Sequence, residues 1–286
     1  MSAPEQGTAE AKGSRRSSTT LILALIAVGV IVLGAITVAL LHHSDTSGDR
    51  TGAVTPTPGP APATTGEGQT GFAVPDVDAF GRRVDIPNNP AGQPLAQTSG
   101  PHAATDPAWL TAAPILPEQG GWQRVFGVSV PFSTSDGPTN MIDGVPVGYS
   151  HTPQGAALAA VFTTWEAYAR PGDWTLRERM EVMTDADHAE FDRLQAAGKV
   201  PAQAPVAATR WLVAPDAFQI ESFSATGDLC VLKIATKAPP ASAGGPAQWQ
   251  ASQLTMVWDG QWRLRLAPGG HLPGSTIGSL DGWTRW

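Results

Sequence analysis

The pattern of apolar and polar positions divides the chain into unlike parts. From Leu21 to Leu41 the run LILALIAVGVIVLGAITVALL carries no charge. A helix of that length, at ~1.5 Å rise per residue, crosses the ~30 Å hydrocarbon core of a bilayer. The run therefore predicts one transmembrane helix. Lys12, Arg15 and Arg16 precede it, and His42, His43, Asp45 and Asp49 follow it. By the positive-inside rule residues 1–20 stay in the cytoplasm and everything after the helix is exported. A cleavable signal peptide would share the basic start but calls for a shorter apolar core and a small-x-small cleavage site. The run ends instead in Ala39-Leu40-Leu41-His42-His43. The expectation is a single-pass protein of the cytoplasmic membrane, N-terminus inside and C-terminal domain outside.

Around that anchor, residues 1–20 are small, polar and without hydrophobic period, which predicts a disordered cytoplasmic tail. Residues 42–70 form a Pro/Thr/Gly-rich spacer with no aromatic residue, leucine or isoleucine. Residues 71–107 space Phe72, Val74, Val77, Phe80, Val84, Ile86 and Leu95 among prolines and glycines. They read as an extended arm that packs on its own domain or on a partner.

Residues 108–286 carry the regular patterns of a single exported α+β domain: about three helices packed on a curved, mainly antiparallel sheet. Trp122 to Phe132 has strand composition, with Pro131 marking an edge or an end. Met141 to Tyr149 contains Asp143-Gly144, a two-residue hairpin turn. Thr152 as cap and Pro153 in the first turn open a helix that runs to about Ala169. Leu158, Val161, Phe162, Trp165 and Tyr168 recur there at helical spacing and predict a core face, with alanines allowing close approach to a sheet. A second helix is expected over Leu176–Val182. A third begins at Thr184, which forms a capping-box-like start with Asp187. Phe218–Ala225, Leu229–Thr236 and Ala247–Trp258 read as strands. Trp258-Asp259-Gly260-Gln261-Trp262 then predicts a hairpin closed by Asp259-Gly260, in which Val257 faces Trp262, Thr255 faces Leu264 and Met256 faces Arg263.

Composition narrows the function classes. A net charge of -7 and a pI near 5.3 argue against a nucleic-acid-binding surface. Cys230 is the one cysteine, so no intrachain disulfide framework exists. Its apolar setting predicts a buried, inert thiol. Asp185, His188 and Asp192 share a helical face, but acids at a helix start beside a surface histidine account for it. Ser150-His151 are sequence neighbours, which is not how a nucleophile meets its base. The chain has no G-x-S-x-G, H-E-x-x-H, P-loop lysine or G-x-G-x-x-G motif. No catalytic, cofactor-binding or metal-binding set is predicted, and no cofactor; the expectation is a protein that is not an enzyme.

The blocks VDAFGRRVDIPNNPAGQPL, GGWQRVFGVSVPFSTSDGPT, GVPVGYSHTPQGAALAA, LTMVWDGQWRLRL and GSLDGWTRW together resemble an uncharacterised family of actinobacterial membrane-anchored proteins associated with integrative and conjugative elements. The layout of helices followed by a meander behind one anchor is similar to the nuclear transport factor 2-like (cystatin-like) exported domains of bitopic type IV secretion scaffold subunits and Mce-associated membrane proteins. The resemblance implies an accessory or scaffold component of a DNA-transfer apparatus. Its expected partners are other membrane proteins of a transfer or secretion complex, with a homo-oligomer possible. The alternative is an exported small-molecule or cell-wall-binding module.

Overall fold

Thr152 and Pro153 begin the helix around which the domain is built. In the computed structural model, which describes residues 69–238, 245–266 and 272–286, Thr152 is extended and its hydroxyl oxygen accepts from the Gly155 N–H at 3.0 Å. Helix α1 then runs over Pro153–Ala169. Its alanines at 156, 157, 159 and 160 are as fully buried as Leu158, Val161 and Phe162. The expectation of a single core face was thus too narrow. A helix whose surface is apolar or small nearly all round has no side to give to water and becomes the interior. Strand β4 (Val128–Pro131), paired with β3 (Trp122–Val125), packs on α1, and so does the main sheet. Trp165 and Tyr168, expected in the core face, are only half-buried, and Trp165 donates from Nε1 to the Val213 carbonyl at 2.9 Å.

The domain is α+β with a mainly antiparallel sheet. Strands β7 (Ala217–Phe223), β8 (Leu229–Ala238), β9 (Gln248–Trp258) and β10 (Trp262–Arg265) form an antiparallel meander. The short β12 (Thr284–Arg285) borders β7, and β11 (Gly274–Ile277) borders β9 beside β10. The hairpin after Trp258 differs from expectation by one residue. Trp262 pairs with Trp258, Arg263 with Val257, and Leu264 with Met256, across a three-residue loop Asp259-Gly260-Gln261. Gly260 has φ +71°, and Asp259 N–H donates to the Gln261 carbonyl at 3.0 Å. The two-residue turn would have set Met256 against Arg263. The observed register instead places Met256, Leu264 and Trp262 together in the core, and a one-residue slip would have sent one strand's apolar set to the other face.

Residues 122–132 also depart from expectation. They are not one strand but the hairpin β3–β4, turned by Phe126 at φ +44° and Gly127 at φ +94°. A second hairpin, β5 (Asn140–Ile142) and β6 (Val145–Val147), turns at Asp143 and Gly144, both at positive φ, as the dipeptide predicted. Helix α2 (Trp174–Met180) is capped by Asp173, and α3 (Asp185–Ala196) carries the expected Thr184–Asp187 capping box. A one-turn helix α4 (Val206–Thr209) occupies the expected connection.

The arm folds back on its own domain. Its strands β1 (Asp76–Val77) and β2 (Arg83–Val84) form a small hairpin whose Val84 is fully buried. Asp85 N–H donates to the Trp122 carbonyl at 2.8 Å, and Arg124 N–H donates to the Asp85 carbonyl at 2.9 Å. Leu21–Leu41, Lys12, Arg15, Arg16 and the flanking tail and spacer lie outside the described residues. Among the described residues no helix is long and apolar enough to cross a membrane.

Candidate functional site

Two of the sequence blocks meet at the start of α1. The His151 ring stacks on Trp258 with centroids 4.2 Å apart and planes 12° from parallel, and it lies 5.7 Å from Trp262. Its Nε2 is 2.9 Å from the Gly227 carbonyl, in the turn between β7 and β8. Trp262, wholly buried, donates from Nε1 to the Ser150 carbonyl at 2.9 Å, which ties the β9–β10 hairpin to the helix entry. Phe223 and then Trp109 extend the aromatic cluster. Close approach explains one glycine here: a Cβ on Gly155 would lie 2.1 Å from the Ser150 carbonyl oxygen. Thr152, Pro153, Trp258, Asp259, Gly260 and Trp262 therefore gather at one corner. Leu158 and Phe162 continue from it into the core, and Trp165 lies toward the far end of α1.

The corner does not assemble a nucleophile and base. Ser150 Oγ donates to Asp136 Oδ1 at 2.6 Å, and the carboxylate nearest His151, Asp228, is 4.0 Å away. Asp136 is the hub that sequence reasoning missed. It is 1% exposed. Its Oδ1 also accepts from Thr152 Oγ1 at 2.8 Å, and its Oδ2 accepts from Ser135 Oγ at 2.5 Å. A buried carboxylate fed by hydroxyls holds the 133–136 turn against the helix cap. The signal was present in Ser133-Thr134-Ser135-Asp136, a polar run following an apolar strand.

At the other end of α1 lies a buried ion cluster. Arg170 Nε donates to Glu166 Oε2 at 2.8 Å, its Nη1 donates to Asp173 Oδ2 at 2.7 Å, and its guanidinium lies 4.2 Å over the Phe126 ring. That stacking helps hold Phe126 in a left-handed conformation that costs an ordinary side chain energy. Desolvation pushes the Glu166 carboxyl up to about 7, against the pull of Arg170, and Asp173 adds to the rise. Burial and the nearby Glu166 raise the Tyr149 phenol well above its ordinary value. Glu166 Oε1, Tyr149 OH, Thr163 Oγ1 and Gln154 Oε1 are buried without hydrogen-bond partners among the described residues. A carboxyl tuned near neutrality could serve as a general acid, but Glu166 is fully buried in this structure. In a second buried pair, Arg177 with Glu181, burial raises the Glu181 carboxyl against the pull of Arg177.

The remaining candidates are packing features. Burial pushes the Cys230 thiol up to about 12. His188 packs edge-on against Trp174 at 4.7 Å. Among the described residues no three potential metal ligands form a group. The exposed backbone is at the sheet margins. The β11 strand Gly274-Ser275-Thr276-Ile277 carries no charge, is largely exposed, and has no strand beside its outer edge among the described residues.

Residues 85–285 match the family model described as Domain of unknown function (DUF8175). No curated protein and no solved structure matches the chain.

Proposed function

Since the chain belongs to the DUF8175 family, whose description leaves the activity open, we propose a function that joins the chain's own features to the resemblance of its sequence blocks to membrane-anchored proteins of conjugative elements: a membrane-anchored, non-enzymatic envelope protein that scaffolds a DNA-transfer or secretion complex through protein contacts. In this reading Leu21–Leu41 is the anchor and the domain lies outside the cytoplasmic membrane, joined to it by the Pro/Thr/Gly-rich spacer. Its partners are other membrane proteins of that complex.

The observation that carries the reading is a filled interior combined with an open sheet margin. Leu158, Phe162, Phe132, Leu232 and Met256 occupy the space between helix and sheet where an α+β cone could otherwise enclose a ligand. The β11 edge is short and entered through Pro273, whose carbonyl accepts from the Gln253 N–H at 2.7 Å, but its own four residues carry no charge or proline to blunt pairing, and strand addition is a common mode of protein recognition.

The test is in-cell crosslinking in the native host from photoreactive residues placed at Ser275 and Thr276, with others at exposed Asp192 and Gln195 on α3 as controls. Recovery of transfer-complex membrane proteins from the β11 positions and not from α3 is expected. Equal recovery from both sites, or recovery of cell-wall fragments alone while the transfer machinery is active, would sink the scaffold in favour of the ligand-binding alternative.

A further inference from the structure

A surface hollow of about 320 Å³ opens between the arm, the β3–β4 hairpin and the segment following α4. Two guanidinium groups line it. Arg210 stacks on the ring of Trp211 at 4.7 Å and has no carboxylate partner among the described residues. Arg124 uses Nη2 to reach the Val77 carbonyl at 2.9 Å and Nη1 to reach Asp76 at 3.1 Å. A guanidinium has five N–H donors, so Arg124 keeps others free.

Ser129 lines the same hollow. It is 4% exposed, its N–H donates to the Leu212 carbonyl at 3.1 Å, and its hydroxyl has no partner among the described residues. With no protein partner among the described residues, that hydroxyl stays open to the hollow and can donate to a group placed there. The acid in the lining, Asp78, is already satisfied. Its Oδ1 accepts from the Phe80 and Arg82 N–H groups at 2.8 and 3.0 Å, and its Oδ2 from Arg82 Nε at 2.8 Å. The hollow therefore presents donors and positive charge on a chain whose net charge is -7.

We propose that this hollow binds a small ligand bearing an oxyanion, a carboxylate or a phosphate ester. Ser129 and Arg124 bond the oxyanion at the floor, and Arg210 closes over it from the Trp211 ring. Two arginines around one anion favour planar, multidentate recognition, and the volume suits a compact ligand. This site stands apart from the scaffold reading, since neither β11 nor the aromatic corner contributes to it.

Isothermal titration calorimetry on the full chain in detergent micelles tests the proposal with three probes: succinate, glycerol 3-phosphate and inorganic phosphate. At least one should bind, and raising the salt from about 20 to about 200 mM should weaken that binding by screening. Arg210→Ala should weaken it about tenfold, and Ser129→Ala about threefold, the order expected for a lost charge-assisted and a lost neutral hydrogen bond. Neither change should move the thermal midpoint, since Arg210 is exposed and the Ser129 hydroxyl bonds nothing in the free protein. Succinate binding alone assigns a carboxylate, and binding of either phosphate probe alone assigns a phosphate. No heat with any probe, or equal affinity in the Arg210→Ala protein, would overturn the proposal, and Arg210→Ala decides the matter should Ser129→Ala fail to fold.

Discussion

Glu166 makes stability depend on pH in a direction opposite to an ordinary ion-paired acid. Its carboxyl is raised from 4.5 to about 7, first because burial penalises the charged form. Between those values the folded state holds a proton that the unfolded chain releases. Stability from this group is therefore complete below pH 4.5 and is lost as pH rises through about 7. About two and a half pH units at ~1.36 kcal/mol each amount to roughly 3 kcal/mol, with the opposing pull of Arg170 already contained in the net rise. Glu181, raised for the same reason, acts in the same direction. The assay is urea unfolding of the full chain in micelles at several pH values, compared with Glu166→Gln, so that groups common to both proteins cancel. The wild type should lose stability relative to the variant as pH rises from about 5 to 8. A difference that stays flat, or that favours the wild type at the alkaline end, would show that the Glu166–Arg170 pair outweighs desolvation and would refute the reasoning.

Three substitutions test the other structural claims. Asp136→Ala strips three hydroxyl hydrogen bonds from a buried carboxylate and should cost about 3–5 kcal/mol in denaturant unfolding; a loss below about 0.5 would refute the hub. Gly155→Ala should destabilise by more than about 2 kcal/mol although alanine favours helix by about 1, because its Cβ would lie 2.1 Å from the Ser150 carbonyl oxygen; a gain in thermal midpoint would contradict the close approach. Arg82→Ala removes the bridge between Asp78 and Asp216, so limited proteolysis should cut residues 70–84 about tenfold faster while the sheet stays resistant; unchanged cleavage would show that the arm is held by other contacts.

Local signals carried the helices and failed at tertiary choices. Thr152-Pro153 and Thr184–Asp187 satisfy backbone donors within a few residues, so cap chemistry was readable from neighbours alone. Asp143-Gly144 was readable for the same reason. The Trp258 hairpin was not, because Asp259-Gly260 suits a two-residue turn while the partnership of Leu264 with Met256 answers to α1 across the core. The turn at Phe126 gave only Gly127 as a clue, and its aromatic residue at positive φ is supported by Arg170, far along the chain. At the aromatic corner each block was recognisable by itself. Their meeting through His151 and Trp258 depends on the path of the sheet, which short-range pattern does not encode.

The position of the arm bears on what the domain can do as a scaffold. Arg82 bonds Asp78 within the arm and Asp216 at the start of β7, and Trp249 of β9 donates from Nε1 to the same Asp216 at 2.6 Å. Phe80 adds a stacked contact with Lys237 of β8. One node thus joins the arm to three consecutive strands. If the proposed anchor precedes it, a load along the chain enters the sheet at this node and not at a frayed end. The hollow that carries Arg124, Ser129 and Arg210 is walled on one side by the same arm, at Val77 and Asp78. Ligand in the hollow would therefore favour the docked arm, by the free energy with which it prefers that state. Loss of Arg82 would correspondingly weaken oxyanion binding without touching a ligand-contacting group, so tether and binding site are coupled through the arm they share.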